Sequence, residues 1–202
     1  MYYYGHEENV VNFVKKIVEK NTVFVDVGAF IGFYSILAGK RGSTVYSFEP
    51  DPRSYILLKI NALLTGLNSK IHADNMAVGD KEGYVLLKLA STYADSSITD
   101  YIPSNRIINT IKVPIITIDH FVKEQNINNV DIIKIDVEGY GAKVINGAVN
   151  TIKMFKPKII IEIHRFNNDE ELKKVLEIKE TFGYNLNIIE YRNTRNFIIY
   201  LE

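Results

Sequence analysis

The stretch VFVDVGAFIGFYSILAGKRGSTVYSFEPDP, residues 23–52, limits the fold of this chain more than any other. It passes from an apolar run through a glycine-bearing loop and a helix into a second apolar run, which ends on Glu49. Strands joined by a helical crossover are parallel, and parallel strands buried on both faces read as continuous apolar runs. The stretch is therefore the first βαβ unit of an α/β sheet. Lys40 and Arg41 suit the negative end of its helix. Asp51 and Pro52 then open another helix as N-cap acceptor and first-turn proline. Its expected inner face is Ile56, Ile60, Leu63 and Leu64, with Gly66 ending it.

The same reading extends over the chain. A helix is expected at residues 6–20, with Val10, Val14, Ile17 and Val18 on one face. A third strand covers 70–74, and VGDKEGYVLL reads as a hairpin turning at 80–83. Residues 90–113, rich in Ser, Thr and Asn and interrupted by Pro103, read as a long irregular segment suited to a substrate lid. Buried strands at 131–137 and 158–164 flank a helix through Ala142, Ile145 and Val149. A helix at 169–182 precedes closing strands at 185–190 and 196–201. Their connector YRNTR is too short for a crossover, so that pair must be antiparallel. The expectation is one domain over 1–202: a helical segment at 1–22, then a core at 23–202.

The 24 basic and 24 acidic residues cancel, without the basic excess that a nucleic-acid partner usually requires. There are no cysteines, hence no disulfides or thiolate metal sites. No apolar stretch is long enough to span a bilayer, and MYYYGHEENV lacks the features of a secretion signal. A cytoplasmic location is expected. Oligomeric state is not readable.

In DVGAFIG the glycines fall at Gly28 and Gly32, and Phe30 stands where the dinucleotide fingerprint needs its middle glycine. No phosphate-loop lysine follows. A small-residue turn that need not approach a pyrophosphate suits S-adenosylmethionine, with Glu49 placed to accept from its ribose hydroxyls. Asp26 begins the loop and orients it. A generic βα turn with Glu49 on the surface has the same spacing; a closing antiparallel hairpin favours methyltransferases over dehydrogenases by fold analogy.

VDVGAFIGFYS, FEPDP, MAVGDKEG, TIDHF, IIKIDVEGYGAKVINGA and PKIIIEIH occur in that order. Over residues 23–164 the chain thereby resembles the FkbM-type family of S-adenosylmethionine-dependent methyltransferases. The family usually has Asn at the position of Phe30 and Glu at that of Gly141. The resemblance implies a Rossmann-like class I fold: a mostly parallel seven-stranded sheet with a C-terminal antiparallel hairpin. It implies O-methylation of a hydroxyl on a small molecule, sugar or glycan. An RNA or protein acceptor, or a non-catalytic cofactor-binding module, is the alternative. By matched position it assigns Asp26, Gly28, Ala29, Phe30, Gly32, Glu49 and Pro50 to the cofactor. It also places Asp74, Asn75, Met76 and Ala77 against the adenine, and Asp136 beside the cofactor.

Side chains alternate along a strand, so Lys134, Asp136 and Glu138 share a face if the extension persists, as do Glu162 and His164. Ligands of open α/β sheets bind beyond the carboxyl ends of the strands. Asp136, Glu138 and His164 thus meet at one rim, where they could take a hydroxyl's proton or hold a divalent cation. Lys134 is expected to pair with Asp136 or Glu162, because an unpaired buried charge is costly. Less weight falls on Tyr2, Tyr3 and Tyr4, on Ser96 and Ser97 in a solvated loop, and on His6, His72 and His120, for which no convergent partners are expected. Asp119 is expected to serve a helix N-terminus.

Overall fold

The computed structural model describes residues 8–92, 96–99, 103–164, 169–191 and 196–202. The expected Tyr2–Tyr4 cluster and His6 lie outside them, as does most of the YRNTR connector. Helix α1 (Glu8–Ile17) buries Val10 and Val14. The opening unit follows as β1 (Val23–Val27), α2 (Phe33–Lys40) and β2 (Thr44–Phe48). Then come α3 (Pro52–Leu64), β3 (Ile71–Asp74), β4 (Ala77–Val78), β5 (Gly83–Ala90) and β6 (Ile107–Ile116). After α4 (Ile118–Glu124) the chain forms β7 (Ile132–Ile135), α5 (Gly141–Asn146), α6 (Val149–Phe155) and β8 (Lys158–His164). It closes with α7 (Glu170–Phe182), β9 (Leu186–Tyr191) and β10 (Asn196–Leu201).

Seven strands pair in the order β3-β2-β1-β7-β8-β10-β9. All neighbours from β3 to β8 are parallel, while β10 runs antiparallel to both β8 and β9. This is the sheet expected from the sequence, with the last strand inserted before the penultimate one. Among the described residues no helix is long and apolar enough to cross a membrane.

Alternation along the central strands explains where the site falls. Val25, Val27, Ile133, Ile135, Ile159 and Ile161 point into one apolar layer, under α4 to α7. Phe24, Ile132 and Ile160 point into the other, under α1, α2 and α3. On that second face the next residues along each strand are Asp26, Lys134 and Glu162, and the ones after include Asp136 and His164. The layer thus turns from apolar to charged within one residue pair of the carboxyl ends. Each fully buried aliphatic side chain beneath contributes about 1.5–3 kcal/mol, which holds the polar rim in place.

Three expectations are corrected. VGDKEGYVLL does not form a hairpin: β4 and β5 both pair with β6, which lies between them in a second, three-stranded sheet. Residues 107–113, expected to be irregular, therefore belong to a long strand. Five of its ten residues are exposed and two are buried, so its aliphatic residues are interrupted and do not read as one continuous apolar run. Finally, α3 buries Ser54, Leu58 and Ala62 and turns Ile56, Ile60, Leu63 and Leu64 outward. Its rotation is set elsewhere: Asp51 caps it through the Arg53 amide, and Asn61 Nδ2 donates to the Ile31 carbonyl at 2.9 Å.

Candidate active site

The β1–α2 turn is built on backbone conformations that ordinary side chains avoid. Gly28 and Gly32 have φ of 75° and 86°, and Phe30 has φ of 51°. A Cβ on Gly28 would lie 1.8 Å from the Asp136 carbonyl oxygen. One on Gly32 would lie 3.0 Å from Leu58 Cγ, so the turn packs against β7's end on one side and α3 on the other. The left-handed conformation at Phe30 is one that Asn tolerates better than Phe, which gives a physical reason for the Asn common in the resembling family.

Glu49 closes this turn. The Phe30 amide donates to its Oε2 at 2.7 Å and the Asp51 amide to its Oε1 at 2.8 Å. Each oxygen keeps a second lone pair for another donor. Burial pushes the Glu49 carboxyl up to about 7, against the lowering effect of those two amides. Asn75 Nδ2 donates to the Glu49 and Pro50 carbonyls at 2.8 and 3.1 Å, fixing the end of β3 against that of β2. Asp74 is partly buried there, and desolvation raises its carboxyl. Met76 packs on the first apolar layer, whereas Ala77 is buried in the core of the small sheet. Asp26 is wholly buried: the Ser35 hydroxyl donates to it at 2.6 Å, and Lys134 Nζ stands 3.7 Å away. Burial raises its carboxyl, opposed by Lys134. It holds the turn from below, and Ala29 is likewise buried in the second layer.

The second half of the rim is made of side chains facing one another. Strand β7 stops at Ile135, and Glu138 takes a left-handed φ of 47° followed by Gly139 at 86°. The extension assumed from the sequence does not persist, yet Glu138 still meets its partners. One ligand atom each from Asp136, Glu138 and His164 lies within 4.8 Å of the others. His164 Nε2 is 3.4 Å from Glu138 Oε2 and 3.6 Å from Glu162 Oε1. Lys134 Nζ is 3.4 Å from Asp136 Oδ2, the expected pairing, and 3.7 Å from Asp26 Oδ1. It also lies over the Tyr34 ring, 4.8 Å from its centroid.

Several participants are not visible in the sequence. Glu171, on α7, accepts from the amides of Gly141 at 2.6 Å and His164 at 2.7 Å. Burial pushes its carboxyl up to about 7. A Cβ on Gly141 would sit 2.7 Å from Glu171 Oε1, so α7 delivers a carboxylate to the place where the resembling family usually carries Glu. Residues 96–99 tie the two halves together. The Ser96 hydroxyl donates to Asp51 Oδ2 at 2.7 Å, while those of Ser97 and Thr99 donate to the Glu138 carbonyl, each at 3.0 Å. Ser97 is buried, not solvated as expected. Burial works to raise the Asp51 carboxyl, but hydrogen bonds from Arg53 and Ser96 outweigh it and hold the group low.

His72 and His120 have partners other than the rim residues. His72 stacks on Tyr46, and His120 does have a partner, Glu82 Oε1 at 2.7 Å from Nδ1. Asp119 accepts from the Asn150 and Thr151 amides at 3.0 and 2.7 Å, so the helix N-terminus it serves is that of α6.

The fold, with its antiparallel strand beside an otherwise parallel sheet, is that of class I methyltransferases. The model of the methyltransferase FkbM domain matches residues 26–192. The hexuronic acid methyltransferase AglP of Haloferax volcanii is 22% identical over 170 residues, 84% of this chain and 67% of that protein. The FkbM methyltransferase structure from Methylobacillus flagellatus superposes with TM-score 0.64 at 18% identity, over 90% of this chain. This chain spans 44% of that structure's length. The Streptococcus mutans protein SMU.1697c in complex with SAH superposes with TM-score 0.61 at 10% identity, over 98% of this chain and 97% of that one. The molecule is an S-adenosylmethionine-dependent methyltransferase. It belongs to the FkbM methyltransferase family.

Proposed function

We propose that this protein methylates a hydroxyl of a sugar or glycan, with residues 23–202 acting as one catalytic domain. The observation that carries this reading is the contact between the two halves of the rim: Gly28 of the glycine turn lies directly on the main chain of Asp136. A cofactor held at the turn would then present its methyl group to Asp136, Glu138 and His164. Its amino-acid end would lie over Gly28–Gly32, its ribose hydroxyls would donate to Glu49, and its adenine would lie along residues 74–77. The hexuronic acid acceptor of the Haloferax relative supports a sugar as substrate here.

The chemistry asked of these residues is modest. An acceptor oxygen attacks the sulfonium methyl carbon, and the carbon–sulfur bond breaks with its electron pair returning to sulfur. Holding the oxygen in line supplies much of the acceleration. The hydroxyl sheds its proton at the rim of Asp136, Glu138 and His164, which raises its nucleophilicity. Residues 96–99, bonded to both Asp51 and Glu138, would cover the reacting atoms. The test is a panel of uronic acids, neutral hexoses and RNA incubated with labelled methyl donor. Transfer to a sugar oxygen is expected; transfer confined to RNA, or none with cofactor bound, would contradict the reading.

A further inference from the structure

The rim contains more than a base requires. We infer that Asp136, Glu138 and His164 form a binding site for a hard divalent cation of the Mg²⁺ or Mn²⁺ kind, which receives the acceptor's oxygens. The inference rests on the methyl-transfer reading above for its purpose, though not for its geometry.

The donor set is the first argument. Two carboxylates and one imidazole each bring an atom within 4.8 Å of the others. Ligands of one octahedral cation, each about 2.1 Å from it, stand roughly 3 Å apart. The pair His164 Nε2 and Glu138 Oε2, at 3.4 Å, is already near that spacing. Asp136 and Glu138 are each about a quarter exposed, at 27% and 25% of their side chains, so small side-chain rotations can close the rest.

The second argument is how the histidine is held. Its side chain is buried, and Nδ1 faces Glu171 Oε2 at 3.8 Å while Nε2 points to the cluster. In ligating histidines a carboxylate behind one imidazole nitrogen directs the other at the metal; here Glu171 takes that position, at 3.8 Å and so beyond hydrogen-bond range. Glu171 is itself fixed by the Gly141 and His164 amides, which hold its carboxylate behind the ring.

Third, Glu138 stays in its left-handed conformation because Ser97 and Thr99 both donate to its carbonyl. Such conformations are unfavourable for residues with a Cβ and persist where surrounding contacts enforce them, often at ligand clamps. Three protein ligands leave the solvent side open for two adjacent oxygens, such as a vicinal diol or a uronate's hydroxyl and carboxylate. A hydroxyl on the cation is acidified, and its proton passes to water at the open mouth.

Manganese titrated into the protein, with and without SAH, tests this without any acceptor. One saturable Mn²⁺ site is expected, with nitrogen modulation in its electron spin echo. Glu138→Gln and Asp136→Asn should each weaken it by about tenfold or more, and His164→Ala should also abolish the nitrogen signal. Absence of a saturable site, or one unchanged in these variants, overturns the inference. SAH titration of the same samples keeps the two readings apart. Binding of SAH without Mn²⁺ removes the cation site alone, whereas binding of Mn²⁺ without SAH removes the methyl-transfer reading alone. If His164→Ala does not fold, the two variants at partly exposed carboxylates decide.

Discussion

The two halves of the rim are both acidic, but they are held by different means. On the β1–β2 side the charged groups bond to backbone: Glu49 to the Phe30 and Asp51 amides, and Asp51 to that of Arg53. These are short bonds, 2.7–2.9 Å, made to main-chain amides of the turns after β1 and β2. On the β7–β8 side the partners are side chains facing one another at 3.4–3.8 Å: Lys134 with Asp26 and Asp136, and His164 with Glu138, Glu162 and Glu171. Backbone amides cannot move without moving the turn, so the first half is organised before any ligand arrives. The second half can rearrange by rotamer changes, and its best geometry awaits a bound group. A cofactor common to every turnover suits the rigid half. An acceptor that must enter, react and leave suits the adaptable one.

The largest effect should come from the adaptable half. His164→Ala is expected to lower methyl transfer by roughly 100-fold or more while SAH affinity stays near normal. A variant that loses both together would erase the division. Next comes Glu49→Ala, which on the proposed reading removes the acceptor of two ribose hydroxyls. Hydrogen bonds to charged groups contribute about 1.5–3 kcal/mol, so SAH affinity by calorimetry should weaken tenfold or more. Unchanged affinity would place the ribose elsewhere.

Acidity offers a finer probe of the rigid half. Burial pushes the Glu49 carboxyl up to about 7, from the 4.5 of an ordinary glutamate. The folded protein thus keeps the proton more tightly than the unfolded chain. The group's contribution to stability is fully present below 4.5 and is lost as pH rises through 7. Ribose hydroxyls favour the ionised form, so binding runs the opposite way. SAH affinity should fall by roughly eightfold between pH 7.5 and 6, and Glu49→Gln should flatten that profile. A profile equally steep in the variant would assign the proton to another group. The smallest effect is expected from Phe30→Asn. Phe30 reaches Glu49 through its main-chain amide, so SAH affinity should stay within about threefold. A large loss would mean that the ring itself touches the cofactor.

The rigid half was also the more legible in the sequence. A glycine turn, a helix and an acid ending the next strand are local signals, and the register of β1 on β2 keeps Glu49 beside the turn. Asp136, Glu138 and His164 were found by alternation, although Glu138 reaches the cluster through a left-handed turn that alternation does not foresee. Glu171 could not be found this way. It lies 30 residues from Gly141, and only the packing of α7 against α5 unites them. The outward face of α3 was misread for a similar reason: its largest apolar residues suggested the core, but Asn61 and the Asp51 cap set its rotation. Strand β6 escaped because a half-solvated strand carries polar residues on its open side.

The central claim is that the rigid half holds the cofactor so that its methyl group opens onto the adaptable half. A crystal structure with SAH measures this directly. The account predicts the ribose on Glu49, the adenine along residues 74–77 and the sulfur facing Asp136, Glu138 and His164, with room for an acceptor oxygen in line. SAH bound at the turn with its sulfur directed away from those three residues, or bound outside the turn altogether, would contradict it.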